Sequence, residues 1–237
     1  MEQGLLWDDL PGFFPAFDEP GRWLSKLRRH AEMLERAAER VRVSSVAPES
    51  VVRRQYAESL ELLTIALKYV RPARITDVGS GGGFPGMVFA VLLPGTEVHL
   101  VEPLQKRARL LMELSEALEL GNVKVHPVRA EEAGRGELRD WSDLVTARAV
   151  AELRELLEYT APLAAEGGTL ALPKGSSVAT EVEGAGAAAE ILRCSYVGTE
   201  QMRPAVSETL SVVVYRKSGP TPGSYPRRAG MPGKRPI

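Results

Sequence analysis

Apolar residues in the first third of the chain recur at steps of three and four residues, the spacing of a helix with one buried face. This pattern predicts a first long helix from about Gly21 to Val43, broken at Ser45 to Pro48. Its apolar stripe is formed by Trp23, Leu27, Ala31, Leu34, Ala38 and Val41. A second helical stripe follows Pro48, a residue suited to the first turn of a helix. Residues 1–20 are rich in Pro, Gly and Phe and are expected to be irregular, so residues 1–70 are interpreted as an irregular segment and a helical extension.

From residue 71 onward, short β-rich runs alternate with helical ones. Strands are predicted over Arg74–Val78, Glu97–Glu102, Val123–Val128, Asp143–Ala147 and Thr169–Leu172. Helices are predicted over Pro85–Leu93, Leu104–Leu120, Leu153–Leu163 and Val178–Ala189. Such alternation implies right-handed β–α–β crossovers and a mainly parallel sheet. Two final β-like runs, Ile191–Gly198 and Thr209–Lys217, predict an antiparallel hairpin at the end of the sheet. Residues 71–217 are therefore expected to form one Rossmann-like α/β domain.

Basic residues are concentrated near the two ends of a chain whose net charge is only −1. Residues 21–54 hold nine bases and four acids, and residues 216–237 hold six bases and no acid. Residues 218–237, with five Pro and four Gly, are predicted to form an extended basic tail. This distribution favours a polyanionic partner, although solubility alone would also account for it.

The overall composition excludes several classes of protein. Of the 237 residues, 44% are hydrophobic and 26% charged, which suits a folded globular protein rather than a disordered one. The longest nearly apolar stretch, Met87 to Leu93, is too short for a membrane span, and the acidic first residues do not resemble a secretory signal. Cys194 is the only cysteine, so neither an internal disulfide nor a cysteine-based zinc cluster can form. We expect a cytoplasmic protein with no membrane association.

The most informative stretch is the glycine-rich loop that follows the first predicted strand, from Asp77 to Gly86. Glycine is needed where the backbone adopts positive φ or lies close to a ligand. The spacing Gly81-x-Gly83-x-x-Gly86 satisfies the dinucleotide fingerprint. The spacing Asp77-x-Gly79-x-Gly81-x-Gly83 instead resembles the signature of S-adenosylmethionine-dependent methyltransferases. A purely structural glycine turn is a third interpretation.

The position of the glycines relative to the strand favours the methyl donor. In a dinucleotide fold the first glycine follows directly on the strand, whereas here that register would begin four residues after Asp77. An acidic residue at the strand end also suits a zwitterionic ligand with an ammonium group and would repel a pyrophosphate. Glu102, at the end of the second strand, is placed to accept both ribose hydroxyls of an adenosine. After the third strand, Ala130 and Glu131 are candidates for the adenine pocket.

At this point the sequence resembles the RsmG family, bacterial small-subunit rRNA guanine-N7 methyltransferases formerly called glucose-inhibited division protein B. The resemblance covers roughly residues 45–217. It rests on four segments that occur in the family's order and spacing: Asp77–Gly86, Glu102-Pro103 followed by Lys106-Arg107, Arg129–Glu132 and Thr146–Ala151. It implies an S-adenosylmethionine-dependent methyltransferase fold with a helical amino-terminal extension.

The resemblance also implies site residues. The cofactor contacts carry over to Gly79, Phe84, Glu102, Pro103, Leu104, Ala130, Glu131 and Arg148, beside Asp77, Gly81 and Gly83 of the loop. Two departures stand out. Where the family usually has a His-x-x-Asp-Ser-like segment, this chain has Gln55 to Ser59, with Glu58 as the acid and no histidine. The usual Leu-Lys-Gly is here Leu172-Pro173-Lys174-Gly175, with Pro173 apparently inserted.

The methyl transfer that the resemblance implies does not require a side chain that removes a proton. Guanine N7 has a lone pair and no proton, so its attack on a sulfonium methyl needs alignment and exclusion of water but no general base. No metal is expected, and His30, His99 and His126 lack ligand spacing. The candidates for a catalytic role are Arg148, Glu58 and Lys174; the alternative interpretation of Arg148 is a surface ion pair with Glu152. The expected contacts to RNA phosphates are Lys174, Arg227, Arg228, Lys234 and Arg235.

The substrate suggested by the resemblance is 16S rRNA or the small ribosomal subunit, methylated by a monomeric enzyme. Three rivals remain open from the residues alone. They are a methyltransferase acting on a small molecule or a protein, a nicotinamide-dependent oxidoreductase, and a non-catalytic RNA-binding module that keeps a methyltransferase fold.

Overall fold

The computed structural model of the chain describes residues 5–41 and 46–237. It contains one seven-stranded sheet in the order β3-β2-β1-β4-β5-β7-β6. The strands are β1 (Arg74–Val78), β2 (Glu97–Val101), β3 (Val123–His126), β4 (Ser142–Ala147), β5 (Ala164–Lys174), β6 (Cys194–Gln201) and β7 (Ser211–Lys217). Strands β1 to β5 are parallel, and β7 runs antiparallel between β5 and β6. The mainly parallel sheet with a terminal antiparallel hairpin is confirmed.

Helices cover both faces of the sheet. They are α1 (Leu10–Phe13), α2 (Pro20–Ala37), α3 (Glu58–Ala66), α4 (Gly86–Leu92), α5 (Gln105–Ala117), α6 (Ala130–Ala133), α7 (Leu153–Thr160), α8 (Val178–Gly184), α9 (Gly186–Ile191) and α10 (Met231–Lys234). Short 3-10 helices occupy Trp7–Asp9, Pro48–Ser50 and Ala161–Leu163. Helices α2 to α5 pack on one face, and α6 to α10 cover the other. No helix in the described ranges is both long and apolar enough to cross a membrane.

The amino-terminal helices share a hydrophobic core with the sheet. Leu27 of α2 and Leu60 of α3 belong to the same buried cluster as Ile75 of β1 and Leu100 of β2. Burial of this apolar surface is the main force that holds the extension in place. The extension is therefore part of the wall around the carboxyl ends of the parallel strands, where open α/β sheets bind ligands.

Several predicted helices differ from the observed ones. The predicted helix Val178–Ala189 is divided into α8 and α9, and α7 ends at Thr160 where a 3-10 helix follows. Helix α2 ends at Ala37, and the predicted end at Val43 lies outside the described residues. The second helix begins as a π-helix over Val52–Ala57 and becomes α-helical only at Glu58. A π-helix is rare and is frequently found beside a functional site, and the carbonyl of Arg54 in this segment accepts a hydrogen bond from Arg148.

The prediction of an extended tail over residues 218–237 is wrong. This segment, here called the C-terminal strap, lies across α6 and α7. Arg139 donates hydrogen bonds to the carbonyl oxygens of Thr221 (2.7 Å) and Tyr225 (2.8 Å). Arg227 pairs with the fully buried carboxylate of Glu158, with Nε 2.8 Å from Oε1. A buried charge is costly unless it is paired, so these contacts hold the strap against the domain.

Candidate functional site

The loop between β1 and α4 has the backbone geometry that its glycines allow. Gly79 follows β1 directly, and Gly79, Gly81 and Gly83 have φ values of +72°, +56° and +95°. A Cβ at Gly79 would lie 2.8 Å from Val150 Cγ2, and one at Gly83 would lie 2.5 Å from Met87 Cγ. The dinucleotide fingerprint that begins at Gly81 is thus two residues out of step with the strand end. This register agrees with the methyl-donor interpretation of the loop.

Asp77 lies beneath this loop and is fully buried. Its Oδ2 accepts a hydrogen bond from the Gly86 N–H (3.0 Å), whereas Oδ1 has no hydrogen-bond partner among the described residues. The nearby Ser80 hydroxyl donates to the main-chain oxygen of Asp77 (3.1 Å). Burial raises the pKa of the Asp77 carboxyl to about 6. A buried carboxylate oxygen without a donor is a place where a ligand that brings one gains free energy.

Glu102 extends from the end of the neighbouring strand β2 toward the loop. One oxygen of its buried carboxylate accepts from the Gly81 N–H (2.9 Å), and the other accepts from the Leu104 N–H (2.9 Å). The next residues, Pro103 and Leu104, are exposed, and the Leu104 side chain keeps 54% of its surface accessible. A fixed carboxylate beside an exposed apolar side chain suits a ligand that combines hydroxyl groups with a flat apolar ring. The residues at the carboxyl ends of the parallel strands, here called the carboxyl edge of the sheet, therefore fit an adenosine-containing cofactor.

Ala130 and Glu131, the two residues predicted for the adenine pocket, differ in their contacts. Ala130 is buried at the start of α6. The carboxylate of Glu131 accepts a hydrogen bond from the N–H of Gly230 in the strap (2.8 Å). Its side chain therefore fastens the strap, and a cofactor contact from Glu131 is left to its backbone.

Arg148 and Glu58 meet at the opposite side of the loop. Arg148 Nη1 donates to the carbonyl oxygen of Arg54 (2.8 Å) and lies 3.5 Å from Glu58 Oε2. Its guanidinium also stands 5.4 Å from the ring centre of Phe84. Only 19% of the Arg148 side chain is exposed, and its carboxylate neighbour is Glu58 rather than Glu152, which pairs with Arg154. The structure thus brings together three predicted site residues from three separate segments.

Burial raises the pKa of Glu58 to about 7, against the opposing effect of Arg148, Arg54 and Arg53. The folded protein therefore keeps this proton up to about pH 7, whereas an exposed glutamate releases it near pH 4.5. Because the folded state binds more protons between these values, the free energy of unfolding is expected to fall as pH rises through them, by roughly 3 kcal/mol from this group.

The variant Glu58→Gln removes this titration and is expected to flatten that fall. Chemical unfolding of both proteins at pH 4.5, 6 and 7.5 measures the difference, and the matched change Glu49→Gln provides the control because Glu49 is an acid of the same segment. Parallel curves for the wild type and Glu58→Gln would contradict the assignment.

Lys174 does not have the position that was predicted for it. Its Nζ lies 2.6 Å from Glu181 and 2.8 Å from the carbonyl oxygen of Ala151, and 10% of the side chain is exposed. Pro173 lies within β5, paired with Val212 of β7. The ammonium group therefore ties the loop after β4 to α8, and in this conformation it offers no free charge to a phosphate or a reacting atom. The roles predicted for Lys174 in catalysis and RNA binding stay predictions.

The predicted RNA contacts of the strap divide in two. The Arg227 guanidinium is paired with Glu158 in this structure, and a contact from it to RNA stays a prediction. Arg228, Lys234 and Arg235 are exposed. Gly230, which lies between Arg228 and Lys234 in the chain, donates a hydrogen bond to Glu131 at the start of α6.

Two residues of this region were not predicted to have a role. The imidazole of His30 on α2 contacts the glycine loop through Gly82 and also contacts Tyr56. Burial of His30 was indicated by its spacing, since Trp23, Leu27, His30 and Leu34 follow the helical repeat. Its partner on the loop is 52 residues away and has no signal in the sequence. In the described residues no group of three or more His, Cys, Asp or Glu side chains is arranged to hold a metal ion.

Comparisons with known proteins add an independent line of observation. The family model described as GidB, rRNA small subunit methyltransferase G, matches residues 23–205. A relative from Roseiflexus castenholzii, named Ribosomal RNA small subunit methyltransferase G, is 39% identical over 91% of this chain and 92% of its own. One of the same name from Symbiobacterium thermophilum is 40% identical over 92% of each chain. The crystal structure of M. jannaschii TYW2 in complex with AdoMet superposes with a TM-score of 0.54 and 16% identity, over 76% of this chain and 78% of the other.

Proposed function

This chain belongs to the GidB family, rRNA small subunit methyltransferase G, and from that premise we propose that it transfers a methyl group from S-adenosylmethionine to N7 of a guanine in the decoding-region loop of 16S rRNA. The observation that carries the proposal is the paired arrangement at the carboxyl edge. Asp77 has an unpartnered buried oxygen below the glycine loop, and the Glu102 carboxylate faces the same loop from the next strand.

The residues that would hold the cofactor follow from this arrangement. Glu102 would accept the ribose hydroxyls, and Ala130 and Leu104 would border the adenine. Gly79, Gly81 and Gly83 would allow close approach of the methionine part, whose ammonium group complements Asp77 and whose carboxylate complements Arg148. When bound, S-adenosylmethionine supplies a methyl group activated by a positively charged sulfur.

The residues of the chain have three tasks in the proposed reaction. Phe84 and the flanking loops exclude water, which would otherwise compete for the nucleophile. The glycine loop and Arg148 hold the two reactants in line. No residue needs to remove a proton from N7, but a positive charge develops on the guanine as the methyl arrives, and the carboxylate of Glu58 stands where it can stabilise that charge.

The proposal is tested by nucleoside analysis of rRNA. Small-subunit rRNA from the source organism with and without the gene should differ by one 7-methylguanosine, detected by mass spectrometry. Incubation of the purified protein with the undermodified subunits and S-adenosylmethionine should restore it. An unchanged nucleoside profile, or restored methylation at another base atom, would reject guanine N7 as the target. Methylation of a protein or a small molecule in the same extract would support the first rival.

Three exposed bases of the strap are proposed as phosphate contacts: Arg228, Lys234 and Arg235. Replacing all three with alanine is expected to lower the slope of log affinity against log salt by up to about three, because each lost phosphate contact removes about one released counterion. Binding of a 16S rRNA fragment measured at several salt concentrations gives the slope. Alanines at Arg22, Lys68 and Arg71 are the matched control, since these bases share a groove at the opposite end of the strands. Equal slopes for both triple variants would remove the strap from the RNA interface.

A further inference from the structure

A buried histidine connects the amino-terminal extension to the glycine loop. His30 of α2 is 1% exposed. Its Nε2 lies 3.0 Å from the carbonyl oxygen of Gly82, and its Nδ1 lies 3.0 Å from the hydroxyl of Tyr56. Tyr56 belongs to the π-helix that also supplies the Arg54 carbonyl to Arg148. The imidazole therefore joins two parts of the extension, α2 and the π-helix, to the glycine loop, which is the candidate ligand-binding loop of the domain.

The chemistry of the partners fixes the direction of these hydrogen bonds. A carbonyl oxygen only accepts, so Nε2 carries the proton and donates it to Gly82. Nδ1 is then the acceptor of a hydrogen bond that the Tyr56 hydroxyl donates. Burial lowers the pKa of His30 to about 4 and raises the pKa of Tyr56 well above its ordinary value, so both groups stay neutral near pH 7. The result is a single directed chain from Tyr56 through His30 to the loop.

The ring also supports the loop by contact. A Cβ at Gly83 would lie 3.3 Å from His30 Nε2, so the loop backbone runs close to the imidazole. The ring centres of His30 and Phe84 are 5.1 Å apart, and those of Tyr56 and Phe84 are 5.0 Å apart. Phe84 in turn faces the Arg148 guanidinium. A change at His30 is thus transmitted to both the loop backbone and the ring beside Arg148.

We propose that His30 is a positioning residue, which fixes the peptide between Gly82 and Gly83 and so preorganises the loop for the methyl donor. The inference rests on the proposed function of that loop. A run of glycines with positive φ loses much conformational freedom when it is ordered. When His30 holds the loop, this entropy is lost as the protein folds. Without His30 the entropy would be lost when the ligand binds, and the affinity for the ligand would be lower.

The test compares two substitutions in the full-length protein. His30→Phe keeps a ring against Phe84 but cannot donate to Gly82. His30→Gln retains an amide N–H for Gly82 and an oxygen that accepts from Tyr56. Calorimetry should show the dissociation constant for S-adenosylmethionine raised about tenfold in His30→Phe, the loss typical of one buried hydrogen bond, and within about threefold of the wild type in His30→Gln. The KM for S-adenosylmethionine should rise in parallel while the KM for RNA stays unchanged.

Each outcome distinguishes this inference from the proposed function. A wild-type protein that binds no S-adenosylmethionine would reject the proposed function itself. Wild-type affinity in His30→Phe, or an equal loss in both variants, would overturn the positioning role and leave the function standing. Should His30→Phe fail to fold, Tyr56→Phe provides the decision, because it removes only the hydroxyl that holds Nδ1 as an acceptor. A rise of about threefold supports the inference, and unchanged affinity overturns it.

Discussion

Replacing Gly79 with valine is expected to lower the affinity for S-adenosylmethionine by at least about 100-fold while the protein remains folded. Gly79 has a φ of +72°, which a β-branched residue adopts only under strain. Its Cβ would meet Val150 at 2.8 Å, in the gap between the loops that follow β1 and β4. Val150 is exposed and free to shift, so the valine side chain displaces the loop that follows β4. It occupies the space between this loop and the glycine loop without disturbing the hydrophobic core.

The matched control is Gly167→Val. Gly167 has nearly the same φ, +78°, and a Cβ there would meet nothing within 4 Å. It carries the same backbone strain at an exposed position of β5. Calorimetry with S-adenosylmethionine and thermal unfolding of both variants separate the loss of binding from the loss of stability. Full binding by Gly79→Val would show that the ligand does not use this edge.

Replacing Arg148 with methionine is expected to lower kcat/KM by a factor of about 100 or more, as the removal of a buried charged partner at an active site typically does. The guanidinium lowers the pKa of both Glu58 and Asp77. Without it the methionine carboxylate of the cofactor loses its proposed partner, and both Glu58 and Asp77 hold their protons to higher pH. Methionine fills a similar volume, so the loss is electrostatic rather than a collapse of packing.

The pH profile is the diagnostic measurement for Arg148→Met. Because the pKa of Glu58 lies at about 7 in the intact protein, kcat/KM should rise with pH through that value. In Arg148→Met the same rise should be displaced to higher pH, since a positive neighbour is lost. Arg22→Met, an exposed arginine paired with Glu19, is the control and should keep the original profile. An Arg148→Met profile that coincides with the wild type would remove Glu58 from the proposed mechanism.

The parts of the fold governed by local periodicity were predictable from the sequence. Strand β1 has the predicted bounds, because a buried parallel strand is a short apolar run that ends at a glycine turn. The family resemblance is confirmed, and it rested on motifs at the strand ends. The strap had no such signal. Its proline and glycine content predicts an extended tail, yet Glu158 and Arg139, which lie far earlier in the chain, give it a fixed position.

The candidate site shows the same division. The glycine loop and Glu102 come from segments whose spacing is short, and the sequence placed them correctly at neighbouring strand ends. The contact of Arg148 with Glu58 spans 90 residues, and that of His30 with Gly82 spans 52. Such pairs depend on how the extension packs on the sheet, which no local pattern specifies. The contacts of Lys174 with Glu181 and Ala151 were missed for this reason, because only the folded protein brings these residues together.

The fixed position of the strap has a consequence for truncated gene products. A chain that stops at residue 217 would leave the buried Glu158 without its guanidinium and Lys217 without the hydroxyl of Thr221. Lys217 would keep its ion pair with Asp140 (3.6 Å), but loss of the partner of a buried charge such as Glu158 costs several kcal/mol, a large part of the stability of a domain this size. A late frameshift is therefore expected to act as a null allele, because the destabilised product would be degraded by proteolysis.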